Sequence, residues 1–542
     1  MLDLKSDHKF KVTKQNTYAK NGMVATSSPL AALAGLEILK RGGNAVDAAI
    51  ATAIALTVVE PTSNGMGGDS FALVYDQNQL HGLNSSGYAP KTLSIEMLKS
   101  KGYNDIPKFG AIPITVPGAV ASWKALSDRF GKLPFEDLFG PAINYAEEGF
   151  IVTDYVAKHW QNAAKIYAKE DAKAFKPWFD TFTNKGKAPI GGELWKQTDQ
   201  AKTLKVLAQT GCEDYYRGQL AAKIAAHLQS LGGFLSEDDL RNFKPEWVHP
   251  ISINYRGYDI FEIPPNGQGV SALMALNILS QFNLEDLLKS KDVQRDTMRL
   301  HLEIESMKQA FTDVKACLAD PKFHDFPLSY YLSESYGKSC SSEIDLEVAS
   351  LPYHKPEPTG GTVYLCTADA DGQMVSFIQS NYMGFGSGIV IPGTGISMHN
   401  RGHNFSFDPN HPNALEPLKR PYHTIIPGFI MKDNLPLGPF GVMGGFMQPQ
   451  GHLQVISNLI DLKMSPQEAI NAPRWQWLED KNILIEDTFD QNTLNHLLKK
   501  GHHVSIADDN ATFGRGQMIL KIANGSYIGG TEMRCDGYIA LY

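Results

Sequence analysis

Residues 45–59 constrain the fold more than any other stretch, because they are apolar on nearly every face of a helix. A helix with one apolar stripe can lie at the surface of a protein, whereas a helix that is apolar all round has to be enclosed. Crossing a membrane takes about 20 apolar residues. This stretch is shorter, is bounded by Asn44 and Glu60, and contains Asp47. It therefore predicts a helix sandwiched inside a layered core.

Charge and composition exclude several classes of function. The chain of 542 residues has 50 basic and 58 acidic side chains, a net charge of −8, and is 43% hydrophobic. This balance offers no general attraction to nucleic acids or anionic membranes, so we predict neither as a partner. Residues 1–20 are polar and lysine-rich, which predicts no secretory signal and a cytoplasmic location. The five scattered cysteines indicate free thiols rather than a disulfide framework.

Hydrophobic periodicity and turn residues outline a mixture of helices and strands. We expect a capping box at Ser236 and a polar, proline-bearing linker at residues 341–359. The other predicted elements are strands at 21–25, 70–75, 251–255 and 258–263, a helix that starts at Ser28-Pro29 and stops at Gly42-Gly43, a mostly helical region at 117–233, and a long helical region that ends near Asp320.

Residues 362–379 indicate a β-hairpin whose turn lies at 368–372. Thr362 starts its first strand directly after Gly360 and Gly361. On these residues alone a structural threonine is the ordinary interpretation, since threonine favours strands. The glycines also give the backbone the freedom that an attack of the Thr362 hydroxyl on the Gly361 carbonyl would need. Cleavage there would give Thr362 a free α-amine, which is a base beside a weak nucleophile.

Short motifs rich in glycine and proline occur in both halves of the chain. They are Gly43-Asn44-Ala45-Val46-Asp47-Ala48-Ala49, Gly65-Met66-Gly67-Gly68-Asp69, Val116-Pro117-Gly118, Tyr255-Arg256-Gly257-Tyr258, Gly360-Gly361-Thr362, Ser380-Asn381-Tyr382-Met383-Gly384, Pro392-Gly393-Thr394-Gly395, Lys419-Arg420-Pro421, Met443-Gly444-Gly445 and Asn471-Ala472-Pro473-Arg474. In wording, order and spacing this set resembles the γ-glutamyltranspeptidases, a family of N-terminal-nucleophile hydrolases. The resemblance covers nearly the whole chain.

The resemblance implies an α+β fold, the four-layer αββα sandwich of the N-terminal-nucleophile hydrolases. It also implies a precursor that cuts itself between Gly361 and Thr362. The products would be a large fragment, residues 1–361, and a small fragment, residues 362–542. We expect the two fragments to remain together as one intertwined heterodimer, with further pairing left open.

The same resemblance implies the catalytic residues. Thr362 would be the nucleophile in self-cleavage and in turnover, and Ser380 stands where the family has a hydroxyl bonded to the nucleophile. Gly444 and Gly445 match the glycine pair whose backbone N–H groups form the family's oxyanion hole. Outside that context, a pair of glycines would simply indicate a turn.

The substrate pocket departs from the best-known family pattern. The arginine that binds the α-carboxylate of a γ-glutamyl group is replaced by Ser86, and the two residues that hold its α-amine are replaced by Arg401 and Asn404. In addition, Tyr382 replaces an asparagine, and His423-Thr424 replaces a serine pair. We therefore expect Arg401 to bind a carboxylate and expect no clear carboxylate partner for a free amine. Such a pocket is similar to that of a divergent bacterial subgroup that includes glutaryl and cephalosporin acylases.

These observations predict an autoprocessing enzyme that needs no cofactor. It would cleave γ-glutamyl amides of the glutathione type and transfer the acyl group to water or an amine. Two alternatives remain, a glutaryl- or cephalosporin-type acylase and a non-catalytic protein that keeps the fold. A metal site at His399 and His403 is a weaker interpretation, because Gly402 favours a loop and no third ligand is evident. His452 is expected to support the helix start near the glycine pair rather than to act as a base.

Overall fold

The stretch that most constrains the fold forms the helix Ala45–Val59, all of whose residues are buried. A capping box starts it: the Asn44 side chain accepts from the N–H of Asp47, and the Asp47 carboxylate accepts from the N–H of Asn44. Asp47 also accepts from the N–H of Leu133, so its buried carboxylate is well bonded.

The computed structural model describes residues 14–284, 294–352 and 361–542 of the protein.

Helices account for much of the described chain. In chain order they are α1 Pro29–Lys40, α2 Ala45–Val59, α3 Ile95–Ser100, α4 Ala119–Phe130, α5 Gly140–Glu148, α6 Asp154–Tyr167, α7 Ala172–Phe182, α8 Thr198–Thr210, α9 Glu213–Arg217, α10 Gln219–Ser230, α11 Glu237–Asn242, α12 Gly269–Ser280, α13 Gln294–Cys317, α14 Leu328–Tyr331, α15 Glu334–Glu343, α16 Met447–Ile460, α17 Pro466–Asn471 and α18 Gln491–Lys499. Short 3-10 turns lie at Phe135–Phe139, Arg401–Asn404 and Asn510–Phe513.

The strands of the described residues are β1 Thr17–Ala19, β2 Met23–Thr26, β3 Asp69–Asp76, β4 Gln79–Ser85, β5 Phe150–Ile151, β6 Leu194–Trp195, β7 Glu246–Val248, β8 Ile251–Tyr255, β9 Tyr258–Glu262, β10 Gly361–Ala368, β11 Met374–Tyr382, β12 Val390–Ile391, β13 Ile396–Ser397, β14 Gly428–Lys432, β15 Leu435–Met443, β16 Trp475–Glu479, β17 Asn482–Ile485, β18 His503–Ile506, β19 Arg515–Lys521, β20 Tyr527–Thr531 and β21 Tyr538–Leu541. Two antiparallel sheets have seven strands each. Sheet I has the order β1-β20-β19-β15-β14-β9-β8, and sheet II has the order β21-β2-β10-β11-β3-β4-β7.

Three large apolar clusters hold these elements together. One joins the two sheets, with Phe71 and Ile378 from sheet II against Phe429 and Ile519 from sheet I. A second joins sheet II to helices that include α1, α2 and α4, and a third joins sheet I to α12, α13 and α16. Helices and antiparallel sheets are thus packed into one body, and the predicted α+β class is confirmed.

The hairpin of β10 and β11 positions the predicted nucleophile. Strand β10 lies inside sheet II, between β2 and β11. Gly361 pairs with Tyr382, and the register then shifts before Val363 pairs with Gln379. Thr362 therefore sits at an irregularity of the ladder, where a bulge can re-aim a side chain.

Most of the predicted elements are confirmed, including the four strands, the helical region at 117–233 and the capping box of Ser236 with Asp239. The predicted linker begins too early, because α15 continues to Glu343 before the chain leaves the helix. Residues 353–360 of that linker lie outside the described residues. All five cysteines are free. Within the described ranges, no helix is both long and apolar enough to cross a membrane.

Candidate active site

Thr362, Gly361 and Ser380 form a triangle of hydrogen bonds. Thr362 Oγ1 donates to the Gly361 carbonyl oxygen over 2.8 Å, and Ser380 Oγ donates to the same oxygen over 2.9 Å. The two hydroxyl oxygens are 3.0 Å apart. Both side chains are buried, so water competes little for these bonds. The predicted nucleophile, its hydroxyl partner and the predicted cleavage site are thus together.

The surroundings of Ser380 fix the direction of its proton. Ser380 Oγ accepts from the backbone N–H of Tyr382 over 2.8 Å and from Nη2 of Arg401 over 3.3 Å. A hydroxyl has two acceptor lone pairs and one proton. Because both lone pairs are engaged, the Ser380 proton is directed toward the Gly361 carbonyl and the Thr362 hydroxyl. Tyr382 has a positive φ of 74°, which is a strained conformation for an aromatic residue and is typical of functional sites.

Gly444 and Gly445 link the end of β15 to the start of α16. Both have positive φ, 144° and 57°, which glycine adopts at little cost. Gln268 Nε2 donates to the Gly445 carbonyl over 2.9 Å and fixes this turn. Among the described residues, neither glycine N–H donates in an internal hydrogen bond. Gly444 lines the same cavity as Gly361.

A buried charged cluster lies behind Ser380. The Asp69 Oδ2 atom is 3.0 Å from His423 Nε2, 3.1 Å from His399 Nδ1 and 3.6 Å from Arg401 Nε. Nη1 of Arg401 donates to Thr424 Oγ1 over 2.7 Å. The side chains of Asp69, His399, His423 and Arg401 have no exposed surface. This arrangement ties the hydroxyl beside the nucleophile to an ion pair.

Asp69 is a residue that the sequence analysis missed. It appeared only as the end of a glycine-rich motif, without a role in the site. In the structure Asp69 starts β3 and pairs with Ser380 of β11. Only the register between these two strands places Asp69 beside Ser380 and so identifies it as a residue of the site.

The pKa values indicate the charges of this cluster near neutral pH. Burial by itself would raise the pKa of Asp69, but His399 and His423 outweigh burial and hold it well below its usual range. Burial, reinforced by the charge of Arg401, lowers the pKa of His423 to about 3. Burial also lowers the pKa of Arg401, to about 10. Asp69 is therefore ionised, Arg401 is protonated and His423 is neutral.

The other predicted pocket residues divide into two groups. Tyr382 joins the cluster, since its ring lies 4.5 Å from the guanidinium carbon of Arg401. Asn404 does not join it: its amide donates to the Tyr422 carbonyl over 3.2 Å and so supports the chain next to His423. Ser86 is buried and its hydroxyl donates to Asn84 over 2.7 Å.

Arg515 is a second residue that sequence reasoning missed. Its Nη2 donates to the carbonyl oxygen of Thr362 over 3.1 Å and to Ser63 Oγ over 3.2 Å, and its Nη1 donates to Glu60 over 2.6 Å. Arg515 starts β19 and pairs with Met443, the residue before the glycine pair. One side chain thus connects the backbone of Thr362, the predicted nucleophile, to the strand that ends at the glycine pair.

A cavity of about 380 Å³ borders the Gly361 residue. Helix α6 forms part of its wall, and the other lining residues come from several separate segments of the chain. The lining includes Phe109, Tyr155, His159, Asn162, Ile166, Tyr167, Met383, Phe385, Gly444, Asp509 and Arg515. Burial and then the charge of Arg515 lower the pKa of His159 to about 4, so this wall carries a neutral imidazole. A small organic molecule with an apolar portion would fit beside the Gly361 carbonyl, where cleavage is predicted.

The weaker metal interpretation finds no geometric support at His399 and His403. The His399 ring contacts Asp69 and the Thr115 carbonyl, whereas His403 Nδ1 contacts the Ile106 carbonyl. His452 lies inside α16, where its ring bonds Glu262 over 2.6 Å and accepts from the N–H of Val442 over 3.1 Å. It therefore holds the strand before the glycine pair.

Comparison with known proteins shows which family this chain resembles in sequence and in structure. The sequence profile of the family described as Gamma-glutamyltranspeptidase matches residues 31–542. The Glutathione hydrolase-like YwrD proenzyme of Bacillus subtilis is 37% identical in an alignment of 525 positions that covers 95% of this chain and 97% of that protein. The Oxamate amidohydrolase proenzyme of Klebsiella pneumoniae is 32% identical over 96% of this chain and 98% of that protein.

A solved structure extends the likeness to the fold. The crystal structure of the cephalosporin acylase from Bacillus halodurans superimposes with a TM-score of 0.95 at 51% sequence identity, and covers 100% of this chain and 99% of that one. The family profile, the full-length relatives and this structural match lead to one conclusion. This chain belongs to the γ-glutamyltranspeptidase family of N-terminal-nucleophile hydrolases.

Proposed function

We propose that this protein is an autoprocessing amidohydrolase and acyltransferase with Thr362 as its N-terminal nucleophile. The observation that carries the proposal is the Gly361 carbonyl, which accepts hydrogen bonds from both the Thr362 and Ser380 hydroxyls. Two donors polarise the carbonyl toward attack, and the attacking oxygen is already within reach. The proposal includes the family's four-layer αββα sandwich, which the three apolar clusters support.

Self-cleavage would proceed as an N-to-O acyl shift. The Thr362 Oγ forms a bond to the Gly361 carbonyl carbon, the C–N bond breaks, and the proton of the hydroxyl ends on the departing nitrogen. This step already frees the Thr362 α-amine, and water then hydrolyses the resulting ester to release the Thr362 hydroxyl and the Gly361 carboxylate. Ser380 donates to the oxygen that becomes negative, which is the role of an oxyanion-hole group.

The products would be the fragments 1–361 and 362–542, and the strand order supports their remaining together. Sheet II takes β2, β3, β4 and β7 from the first fragment and β10, β11 and β21 from the second. Separating the fragments would therefore break ladders on both sides of the hairpin. A cytoplasmic location stays a prediction that cell fractionation tests.

In turnover, the freed α-amine would act as the base for the Thr362 hydroxyl. The hydroxyl attacks an amide carbonyl of the substrate, the amine product leaves, and an acyl-enzyme ester forms on Thr362. Water or a second amine then resolves this ester, which gives hydrolysis or transfer. The N–H groups of Gly444 and Gly445 are the candidates to stabilise each tetrahedral intermediate.

The first candidate substrates are γ-glutamyl amides of the glutathione type. Support comes from the family and from the glutathione hydrolase-like relative. In this interpretation the charge of the buried Arg401, one hydroxyl away from Thr362, attracts the carboxylate of the acyl group through Ser380 and not by direct contact.

The second candidate is an acylase for acyl groups that have a carboxylate but no amine. A specific observation favours it: the Asp69 carboxylate already bonds His423 and faces Arg401 and His399. An ammonium group would have to compete with these partners. Two relatives are named an oxamate amidohydrolase and a cephalosporin acylase, and both names describe the cleavage of an amide bond.

Two experiments test these steps separately. Intact mass spectrometry of the purified protein should find two chains, the smaller with 181 residues (362 to 542), and Thr362→Ala should leave one uncut, inactive chain. An uncut wild-type protein that still cleaves amides would refute the proposal.

Matched γ-glutamyl- and glutaryl-p-nitroanilides, which differ only in the α-amine, then compare the two candidates through kcat/KM. Equal or better cleavage of the glutaryl compound supports the acylase. A strong preference for the γ-glutamyl compound supports the glutathione-type enzyme.

A further inference from the structure

Three buried side chains outside the active site converge on one point. His301 and Glu305 lie one turn apart on helix α13, and His502 follows the end of α18. His301 Nδ1 is 2.8 Å from His502 Nε2, which is 4.0 Å from Glu305 Oε1. One ligand atom from each of the three residues lies within 4.8 Å of the others.

The tautomer of His301 suits a ligand. Its Nε2 lies 2.8 Å from the carbonyl oxygen of Asp345, so this nitrogen carries the proton. Nδ1 therefore has a lone pair that accepts from Nε2 of His502, and a metal ion would take the place of that proton. A histidine that binds metal almost always donates its other ring N–H to a carbonyl or carboxylate, which fixes the ring.

We propose that His301, Glu305 and His502 form a site for a divalent transition metal, with Zn²⁺ as the best fit. Two imidazoles and one carboxylate are a donor set that zinc uses with a fourth, open position. Zinc–nitrogen bonds of about 2.0–2.1 Å at tetrahedral angles separate two ligand nitrogens by roughly 3.3 Å. The imidazole pair would need to open by about half an ångström, and Glu305 would need to approach His502 by a similar amount.

Lys308 is the group that opposes this metal. Its buried ammonium donates to Glu305 Oε1 over 2.8 Å and to the Ser350 carbonyl over 3.2 Å. The other Glu305 oxygen accepts from the N–H of Ser350 over 3.1 Å. Metal and ammonium therefore compete for the same carboxylate. Removing the lysine charge should strengthen metal binding, which is a gain that a purely structural cluster would not produce.

The site would bridge the two fragments if the proposed self-cleavage occurs. His301 and Glu305 belong to residues 1–361, and His502 belongs to residues 362–542. The partners Asp345 and Ser350 lie on the segment that leads toward the cleavage site. A bound metal would thus hold the two fragments together at this point. Metal binding does not require self-cleavage or amide cleavage, so an experiment can refute the metal site and leave the proposed function standing, or the reverse.

The test uses the full-length protein, first stripped with a chelator and then dialysed against Zn²⁺. We expect one zinc per chain by inductively coupled plasma mass spectrometry and a higher Tm with zinc. Replacing zinc with Co²⁺ should give the visible absorption of a low-symmetry cobalt site. His502→Gln should weaken zinc binding by more than the roughly 10–100-fold that loss of an outer-shell partner costs. His503→Gln is the matched control, because this neighbouring side chain is exposed.

Lys308→Met should bind zinc more tightly than the wild type. If His502→Gln fails to fold, the stoichiometry and cobalt spectrum of the wild type and Lys308→Met decide the question. The proposal is overturned if neither protein binds zinc at one per chain, or if folded His502→Gln and His503→Gln bind it equally well.

Discussion

Removing the hydroxyl of Ser380 should slow self-cleavage strongly. The Gly361 carbonyl oxygen accepts two hydrogen bonds, and Ser380→Ala deletes the one that does not come from the nucleophile. Loss of one oxyanion donor costs about 2.7–4 kcal/mol of transition-state stabilisation, which is about 10²–10³ in rate. The substitution also leaves the N–H of Tyr382 without its acceptor, at roughly 1–3 kcal/mol of stability for a buried donor.

The assay is the time course of the two fragments after refolding or rapid synthesis, followed by intact mass. Ser380→Thr is the matched variant, because it keeps a hydroxyl at the same position and should cleave much faster than Ser380→Ala. A melting curve separates the loss of transition-state stabilisation from the loss of folding stability, because only the loss of folding stability changes Tm. Cleavage of folded Ser380→Ala at the wild-type rate would mean that Ser380 does not stabilise the developing oxyanion.

Three further predictions concern the glycine pair, the ion pair and acid stability. Gly444→Val should lower kcat by roughly 10²–10³-fold. The added Cβ would lie 3.1 Å from Gly514 Cα, at a residue whose φ is positive, so the backbone N–H groups would shift. Normal kcat in a folded, cleaved variant would place the oxyanion donors elsewhere. Arg401→Ala should lower Tm as well as kcat/KM, since it removes the cation that faces the buried Asp69 and leaves only His399 and His423 beside that carboxylate. The added change Asp69→Asn should recover part of the Tm but not the substrate binding, and exposed Arg241→Ala is the control. Burial would raise the pKa of Glu532, but Arg474 and Arg534 outweigh it and lower that pKa to about 2 from its ordinary 4.5. Its stabilising contribution is therefore complete above pH 4.5 and is lost as the pH falls toward 2, so Glu532→Gln should flatten the fall of Tm over that range.

Local sequence patterns were sufficient for much of the fold. Helix α2 was predictable because an apolar surface on every side requires burial, and the β10–β11 hairpin because two strand-like runs flank a turn. The order of strands in the sheets was not predictable in this way. Sheet II places β10 beside β2, more than 300 residues earlier in the chain, and no local periodicity records such a pairing. The resemblance implied the layered class of the fold but not this strand order.

The residues of the candidate site also divide into those that a local motif predicts and those that depend on strand pairing. Thr362, Ser380 and the glycine pair could be found because each lies in a short, recognisable motif. Asp69 and Arg515 could not be assigned, since their roles depend on contacts with Ser380 and Thr362 that only the strand pairing creates. Residues that act through a neighbour in space leave a weak signal in a single sequence.

Arg474 illustrates how a motif can serve a site without facing it. This residue of the Asn-Ala-Pro-Arg motif is buried and donates to the carbonyl oxygens of Phe513 and Gly514 over 3.1 and 3.0 Å. Glu532, 3.0 Å from its guanidinium, balances the charge. The turn that Arg474 holds packs directly against Gly444, where even one added carbon would meet Gly514. Arg474 therefore fixes the backbone beside the glycine pair that we propose as the oxyanion donors, and its own partners are carbonyl groups of the protein.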